Sequence, residues 1–326
     1  MRINLSKFLQ LQFNIFLYKK LGWGVAIAYI IILGRLYFFF NRKEKEKIKS
    51  AVMSAFNSKK SDNEIRHIYV NVVKGILSHY YEKLFNAFST SEELKIFFQK
   101  NMSSEGLTPI ENGLARGKGV LLVTGHFGGV EFTPGYLAAK NLPVTIIVRF
   151  SSRHLRNISI EKAEHFSTRI IDADKTANVL RAIHDNLKEN RIVITQCDEI
   201  DEWRPSGDSI MFMGNWVKLD RTINILTKRL DTFIAFSVVH RIERGKYKFI
   251  VNSLEDISRK YQNQQYKSNG ALLIKFLEQQ IYRYPEEWYQ WKKYFDIIEN
   301  PAAEKIAKKP ASTPAPLMRP VFDRTS

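Results

Sequence analysis

Apolar residues recur along this chain with three different spacings, and each spacing predicts a different kind of element. Leu21–Phe40 is almost continuously apolar, broken only by Arg35. About 20 such residues suffice to cross a bilayer as a helix, and an arginine five residues from the end lies within reach of the interface. Between Ser61 and Lys100 apolar residues stand three and four apart, and Ser61-Asp-Asn-Glu64 and Thr90-Ser-Glu-Glu93 each have the spacing of a capping box. Two helices are predicted there. Beyond Gly117 short apolar runs alternate with helical patterns. The runs predict strands at Val120–Val123, Val144–Val148, Arg169–Ile171, Ile192–Thr195, Phe233–Val239 and Tyr247–Val251. The patterns between and after them predict helices at Arg153–Ser167, Lys175–Leu187, Asp220–Arg229, Ala271–Tyr282 and Glu286–Phe295. Glu199–Val217, which contains Pro205, reads as an irregular active-site loop.

Strand and helix in alternation imply an α/β fold, with a central, largely parallel sheet flanked by helices and preceded by a membrane-associated helix. The expected organisation is a membrane anchor over residues 1–42, a catalytic domain over 43–298 and a disordered tail over 299–326. The tail is rich in Pro, Ala and Lys and has little to bury. No small-residue cleavage pattern comes after the apolar run, so it does not read as a signal peptide. Basic residues flank it on both sides, with the larger cluster after it at Arg42, Lys43, Lys45 and Lys47. That asymmetry favours a cytoplasmic location for the downstream residues.

Composition changes this picture in two respects. Fifty Lys and Arg against 33 Asp and Glu give a net charge of +17, which favours anionic partners such as lipid headgroups or an acidic carrier protein. Nucleic acid is not among the expected partners, because the chain has no zinc-finger spacing, RNA-recognition signature or compact basic tail. The single cysteine, Cys197, excludes an intramolecular disulfide and a Cys-only zinc site, and its apolar surroundings predict a core residue.

The chemistry concentrates in Gly117–Glu131, where Val120–Val123 runs into a glycine-rich turn that carries His126 and, five residues on, Glu131. Ligands bind at the carboxyl ends of strands in α/β sheets, and Gly125, Gly128 and Gly129 permit positive φ and close approach to the backbone. The spacing by itself is weak: seven histidines and 33 acidic residues in 326 make a chance match quite ordinary. The chain supplies one in His184-Asp-Asn-Leu-Lys-Glu189, where helical spacing predicts a solvated histidine. At His126 a neutral imidazole can take the proton of an attacking hydroxyl, while a carboxylate on its other nitrogen fixes the tautomer. Glu131 is the candidate for that carboxylate, and the amides of Gly128 and Gly129 are candidate donors to an oxyanion. Other classes lack their motifs. There is no Gly-x-Ser-x-Gly elbow, no histidine cluster with metal-ligand spacing, and Gly113–Gly119 is one residue short of a phosphate loop and precedes its strand.

Gly117-Lys-Gly-Val-Leu-Leu-Val-Thr-Gly-His-Phe-Gly-Gly-Val-Glu131 closely resembles the signature of the bacterial lipid A biosynthesis acyltransferases, the late lauroyl- and myristoyl-transferase type within the wider glycerolipid acyltransferase superfamily. Tyr284-Pro-Glu-Glu-Trp-Tyr-Gln-Trp291 resembles that family's closing Pro-Glu-x-Trp segment, and the similarity runs from about residue 60 to residue 296. The resemblance implies an O-acyltransferase of the bacterial inner membrane, its catalytic domain facing the cytoplasm. It would move a fatty acyl chain from an acyl carrier protein, or from coenzyme A, to a hydroxyl of a lipid A precursor or related glycolipid, with no cofactor. It also implies His126 and Glu131 as a catalytic dyad, and substrate-binding roles for Arg149, with Arg169 in a similar place, and for Asp198. The chain departs from the family pattern at Gly129-Val130, at Glu199, where glutamine is usual, and at Asp220-Arg221, where small residues begin the next helix. The first bears on local substrate contacts, and the last two fall near the expected substrate mouth and point to an altered acceptor or acyl length. The competing readings are an acyltransferase for a lysophospholipid or other lipid acceptor, and a non-catalytic membrane-surface protein on the same fold.

Overall fold

The computed structural model describes residues 9, 11–57, 59–150, 153–262 and 266–299, apart from the side chain of Leu21. The expectations for residues 1–8 and for the tail beyond Glu299 lie outside the described residues.

Helix α1 (Gln12–Leu21) leads up to the apolar run, which folds as α2 (Trp23–Phe40) after Gly22 at a φ of 74°. Helix α3 (Arg42–Phe56) comes directly after. Both capping boxes form: Ser61 and Glu64 open α4 (Asp62–Phe88), and Thr90 and Glu93 open α5 (Ser91–Asn101). In each, the hydroxyl accepts from the N3 amide while the glutamate reaches back to the cap amide, satisfying two donors that a bare helix start leaves open. Helix α2 does not stand apart from the rest. It buries Ala26, Ile30, Gly34, Tyr37 and Phe38, and a Cβ on Gly34 would lie 2.2 Å from Leu77 of α4.

A strand and a helix without clear periodicity come next, β1 (Met102–Glu105) and α6 (Thr108–Ala115). The chain then alternates through β2 (Val120–Thr124), α7 (Thr133–Ala139), β3 (Val144–Val148), α8 (Arg153–His165), β4 (Arg169–Asp172), α9 (Val179–Lys188) and β5 (Ile192–Gln196). Glu199–Val217, expected to be irregular, instead forms most of a hairpin, β6 (Pro205–Phe212) and β7 (Asn215–Asp220). Its two-residue turn places both Met213 (φ 51°) and Gly214 (φ 81°) in the left-handed region, the backbone of a type I′ hairpin. Methionine is not a residue that announces such a turn. Its amide is held by the buried carboxylate of Glu278 at 2.6 Å.

Asp220 caps α10 (Arg221–Arg229) by accepting from the Thr222 amide, and its other oxygen accepts from Arg204 N. This departure from the family pattern therefore serves the start of a helix. Strands β8 (Phe233–Glu243) and β9 (Lys246–Ser253), then α11 (Leu254–Lys260) and α12 (Asn269–Arg283), complete the regular elements. The segment expected as a helix over Glu286–Phe295 is instead two 3₁₀ turns, Pro285–Glu287 and Trp291–Ile297, which bury Trp288, Trp291 and Tyr294.

The sheet order is β1-β9-β8-β2-β5-β3-β4, with every pair parallel except β8 and β9. Strand β2 lies at its centre with all five residues buried. A strand covered on both faces should read as a continuous apolar run, which is how Val120–Val123 reads. The carboxyl ends of β2, β5 and β3 lie along one edge of the sheet, and the candidate site is built there.

Candidate active site

His126 is the second residue after β2, and Asp198 the second after the neighbouring strand β5. The parallel register, Thr124 opposite Gln196, brings them together. The Asp198 carboxylate accepts from the His126 amide at 2.9 and 3.1 Å, pairs with Nδ1 of the same residue at 3.0 Å, and accepts from Nε1 of Trp288 at 2.7 Å. A carboxylate can only accept in this arrangement, so Nδ1 carries the proton and the lone pair of the neutral imidazole resides on Nε2. The resemblance implies that Asp198 touches substrate. At 2% exposure it lies instead behind the imidazole.

The two charges leave a definite electrostatic imprint. Burial by itself would lower the pKa of His126, but the charge and hydrogen bond of Asp198, with Glu199 adding to them, outweigh burial and hold it above its ordinary value. Glu199 stands on the opposite side, its Oε2 3.5 Å from Nε2 of His126. Burial raises the pKa of Glu199, His126 works against the rise, and Asp198 and Asp201 add to it.

Glu131 occupies a different place. No hydrogen bond joins it to His126 among the described residues, and its Oε1 lies 3.9 Å from Nε2 of His79 on α4. The reason lies in the backbone between them. Phe127 bridges to Trp288 and Gly128 to Val239, and Gly128, at a φ of +59°, turns the chain ahead of the 3₁₀ segment Val130–Phe132. Five residues in that path carry Glu131 away from the imidazole. Between the two stands Tyr289, whose ring meets His126 edge-on at 5.1 Å and lies flat against His79 at 3.4 Å. Burial, then the nearby Lys83 and Arg241, depress the pKa of His79 well below the ordinary range, and its Nδ1 has no hydrogen-bond partner.

The glycines serve packing. The Gly128 amide donates to Glu287 O and the Gly129 amide to Val239 O, each at 2.8 Å, so neither is free for an oxyanion. Gly128 has a φ of +59°, and a Cβ there would lie 1.8 Å from the Val239 carbonyl oxygen. No side chain fits that contact. The loop is held from behind by a buried ionic cluster that the sequence did not announce. Arg241 on β8 pairs with Glu82 on α4 at 2.6 and 2.8 Å and donates to the Gly128 carbonyl at 3.0 Å. Tyr247 donates to Glu82, and Glu287 accepts from the Arg241 amide and pairs with His240. The sequence signal for part of it is the Pro285-Glu-Glu-Trp288 segment, recognisable as a motif without a visible task.

The remaining candidates divide by strand end. Arg149 comes just after β3 at the same edge as His126, and its guanidinium is engaged by Asp174 and by Glu202, the latter at 3.0 and 3.1 Å. Arg169 begins β4, opposite Thr145 in register, and therefore lies at the far edge of the sheet, paired with Glu189. The structure does not bring it to the site. His184 lies on the exposed side of α9 beside Asp185 at 3.4 Å, and Cys197 is buried and free.

A buried strand delivering a histidine onto a buried aspartate is an arrangement suited to acid–base chemistry on many folds, and by itself it names no family. The model of the bacterial lipid A biosynthesis acyltransferases matches residues 9–295. The chain belongs to that family. The match takes in α1 and α2 as well as the sheet. No curated protein sequence matches the chain.

Proposed function

We propose that this lipid A-type acyltransferase is a membrane-associated O-acyltransferase that moves a fatty acyl chain from the thioester of an acyl carrier protein to a hydroxyl of a lipid A precursor or related glycolipid. The observation that carries the mechanism is the buried Asp198 carboxylate on Nδ1 of His126, which directs the basic lone pair to Nε2. The acceptor hydroxyl takes the place of Glu199 at Nε2 and gives up its proton there as its oxygen attacks the thioester carbonyl. Asp198 stabilises the imidazolium that results. Collapse of the tetrahedral intermediate breaks the C–S bond, the acyl group stays on the acceptor oxygen, and the departing thiolate takes the proton back from Nε2. Glu131 enters this reading as the carboxylate of the wall formed by His79 and Tyr289, not as the partner of the base.

The donor is assigned from charge. Acyl carrier proteins are acidic, and a protein of net charge +17 attracts them over distances that salt screens. The acceptor chemistry is less constrained. With Arg149 engaged by Asp174 and Glu202, the nearby Lys293 engaged by Asp201, and Glu199 at the base, the surroundings of Nε2 disfavour a phosphate next to the reacting hydroxyl. That favours a sugar hydroxyl distant from phosphate over the hydroxyl of a lysophospholipid.

The test incubates the full-length protein in detergent with acyl-carrier-protein and acyl-CoA donors, each against lipid A precursor and lysophospholipid acceptors, with products read by mass spectrometry and initial rates by salt titration. Acylated glycolipid formed from the carrier-protein donor, at a rate that falls with salt and vanishes in His126→Ala, is expected. Transfer that survives His126→Ala, or equal efficiency with acyl-CoA and no salt dependence, would overturn the assignments of base or donor respectively.

A further inference from the structure

Helix α2 has two apolar sides with different occupants. Ala26, Ile30, Gly34 and Tyr37 recur at intervals of four, four and three and face the protein. Val25, Ile32, Leu36 and Phe39 recur at seven, four and three and are all exposed, with Phe40 beside them. At 100° per residue these sets centre on opposite sides of the helix. The protein side is engaged over the whole length. Trp23 meets Phe85 of α4 edge-on at 5.2 Å, Gly34 fits against Leu77, and the Tyr37 hydroxyl donates to Glu44 of α3 at 2.7 Å.

This packing decides the direction of the helix relative to a bilayer. At 1.5 Å per residue its 18 residues span about 27 Å, enough to cross the hydrocarbon. A crossing α2 would, however, carry Leu77–Phe85 of α4 to bilayer depth alongside it. That stretch holds His79 and Glu82, the latter paired with Arg241 of β8, and beside it stand the exposed Lys74 and the Lys162 ammonium, which caps the carbonyls of Ala87 and Ser89. Charged groups of that kind are not accommodated in hydrocarbon.

We infer that α2 lies in the plane of the membrane, in one leaflet, with Val25, Ile32, Leu36 and Phe39 in the acyl region and the catalytic domain on the same side of the bilayer as both helix ends. The exposed Phe13 and Phe16 of α1 extend the apolar surface. Lys19 and Lys20 before α2, Arg35 on its flank, and Arg42, Lys43 and Lys45 after it are all exposed, which supplies cations at headgroup level for an anionic leaflet. The inference rests on the membrane association proposed above and adds the topology, which a spanning anchor would reverse between residues 12 and 45.

The experiment uses the full-length protein with single cysteines introduced as Gln12→Cys or Lys45→Cys, Cys197 being buried. Spheroplasts and inverted inner-membrane vesicles are treated with a membrane-impermeant maleimide. Both positions should label in inverted vesicles and neither in spheroplasts. Labelling of the two positions in opposite preparations would establish a crossing helix and overturn the inference. As a second readout, an environment-sensitive fluorophore at Val25→Cys, Ile32→Cys or Phe39→Cys should be quenched to the same extent, within about twofold, by lipids spin-labelled at one depth. Deep quenching confined to Ile32 would again mean a crossing helix. Recovery of the unmodified protein in the soluble fraction would remove the membrane association and this topology together, whereas a crossing helix would leave the proposed reaction standing.

Discussion

Asp198→Asn isolates the one interaction on which the mechanism depends. The native carboxylate accepts from three donors: the His126 amide, Nδ1 of His126 and Nε1 of Trp288. Asparagine keeps one oxygen and turns an NH₂ toward the remaining donors, so at least one buried N–H loses its partner. An orphaned buried donor costs about 1–3 kcal/mol. If the NH₂ faces Nδ1, the imidazole proton moves to Nε2, the nitrogen that must be empty to accept from the hydroxyl. Losing both the tautomer and the stabilised imidazolium should lower kcat by about 10²- to 10⁴-fold. The pH profile separates this from a general loss of structure. His126 acts as a base only when neutral, and Asp198 holds its pKa above the ordinary value, so native activity rises on an acid limb that lies correspondingly high. Removing the charge lowers that pKa and moves the limb toward lower pH even as the plateau falls. The assay is initial rate against pH with a carrier-protein donor and solubilised acceptor, alongside thermal unfolding to confirm a folded variant. A folded Asp198→Asn enzyme within threefold of native, with its acid limb unmoved, would refute the role of Asp198.

Glu131→Gln, by contrast, should leave the acid limb where it is, since Glu131 faces His79; a shift matching that of Asp198→Asn would place it on the base after all. His184→Ala should match the native rate, and a tenfold loss at equal expression would show that the second His-x4-Glu match is not incidental. Gly128→Ala puts a Cβ 1.8 Å from the Val239 carbonyl at a φ of +59°, and a destabilisation above about 1–3 kcal/mol in denaturant titration is expected. Arg241→Met leaves the buried Glu82 without its cation. A loss of about 3–5 kcal/mol is expected from the uncompensated charge, and the double variant with Glu82→Leu should recover part of it.

Elements whose pattern is local are legible in the amino-acid order. A buried parallel strand must be apolar throughout, which marks Val120–Val123, and the reciprocal geometry of a capping box marks the starts of α4 and α5. The histidine after that strand is legible too, because strand, glycines and titratable side chain are contiguous. Features that depend on two distant segments meeting are not. Asp198 stands 72 residues from His126 and reaches its imidazole only because β2 and β5 are neighbours in the sheet, an order no local pattern encodes. Glu131 lies five positions from the histidine but is turned away because Phe127 and Gly128 are tied to Trp288 and Val239 and the chain turns at Gly128, none of which the spacing shows. The guanidinium of Arg149 and that of Arg169 read alike in sequence, yet one lies at the carboxyl edge of the sheet and the other at the amino edge. The same holds for α2. Its composition says that it is apolar enough for lipid, but only its contact with α4 shows which side is covered by protein and which is left exposed, because a side chain's partner is set by packing between elements rather than by the residues on either side of it.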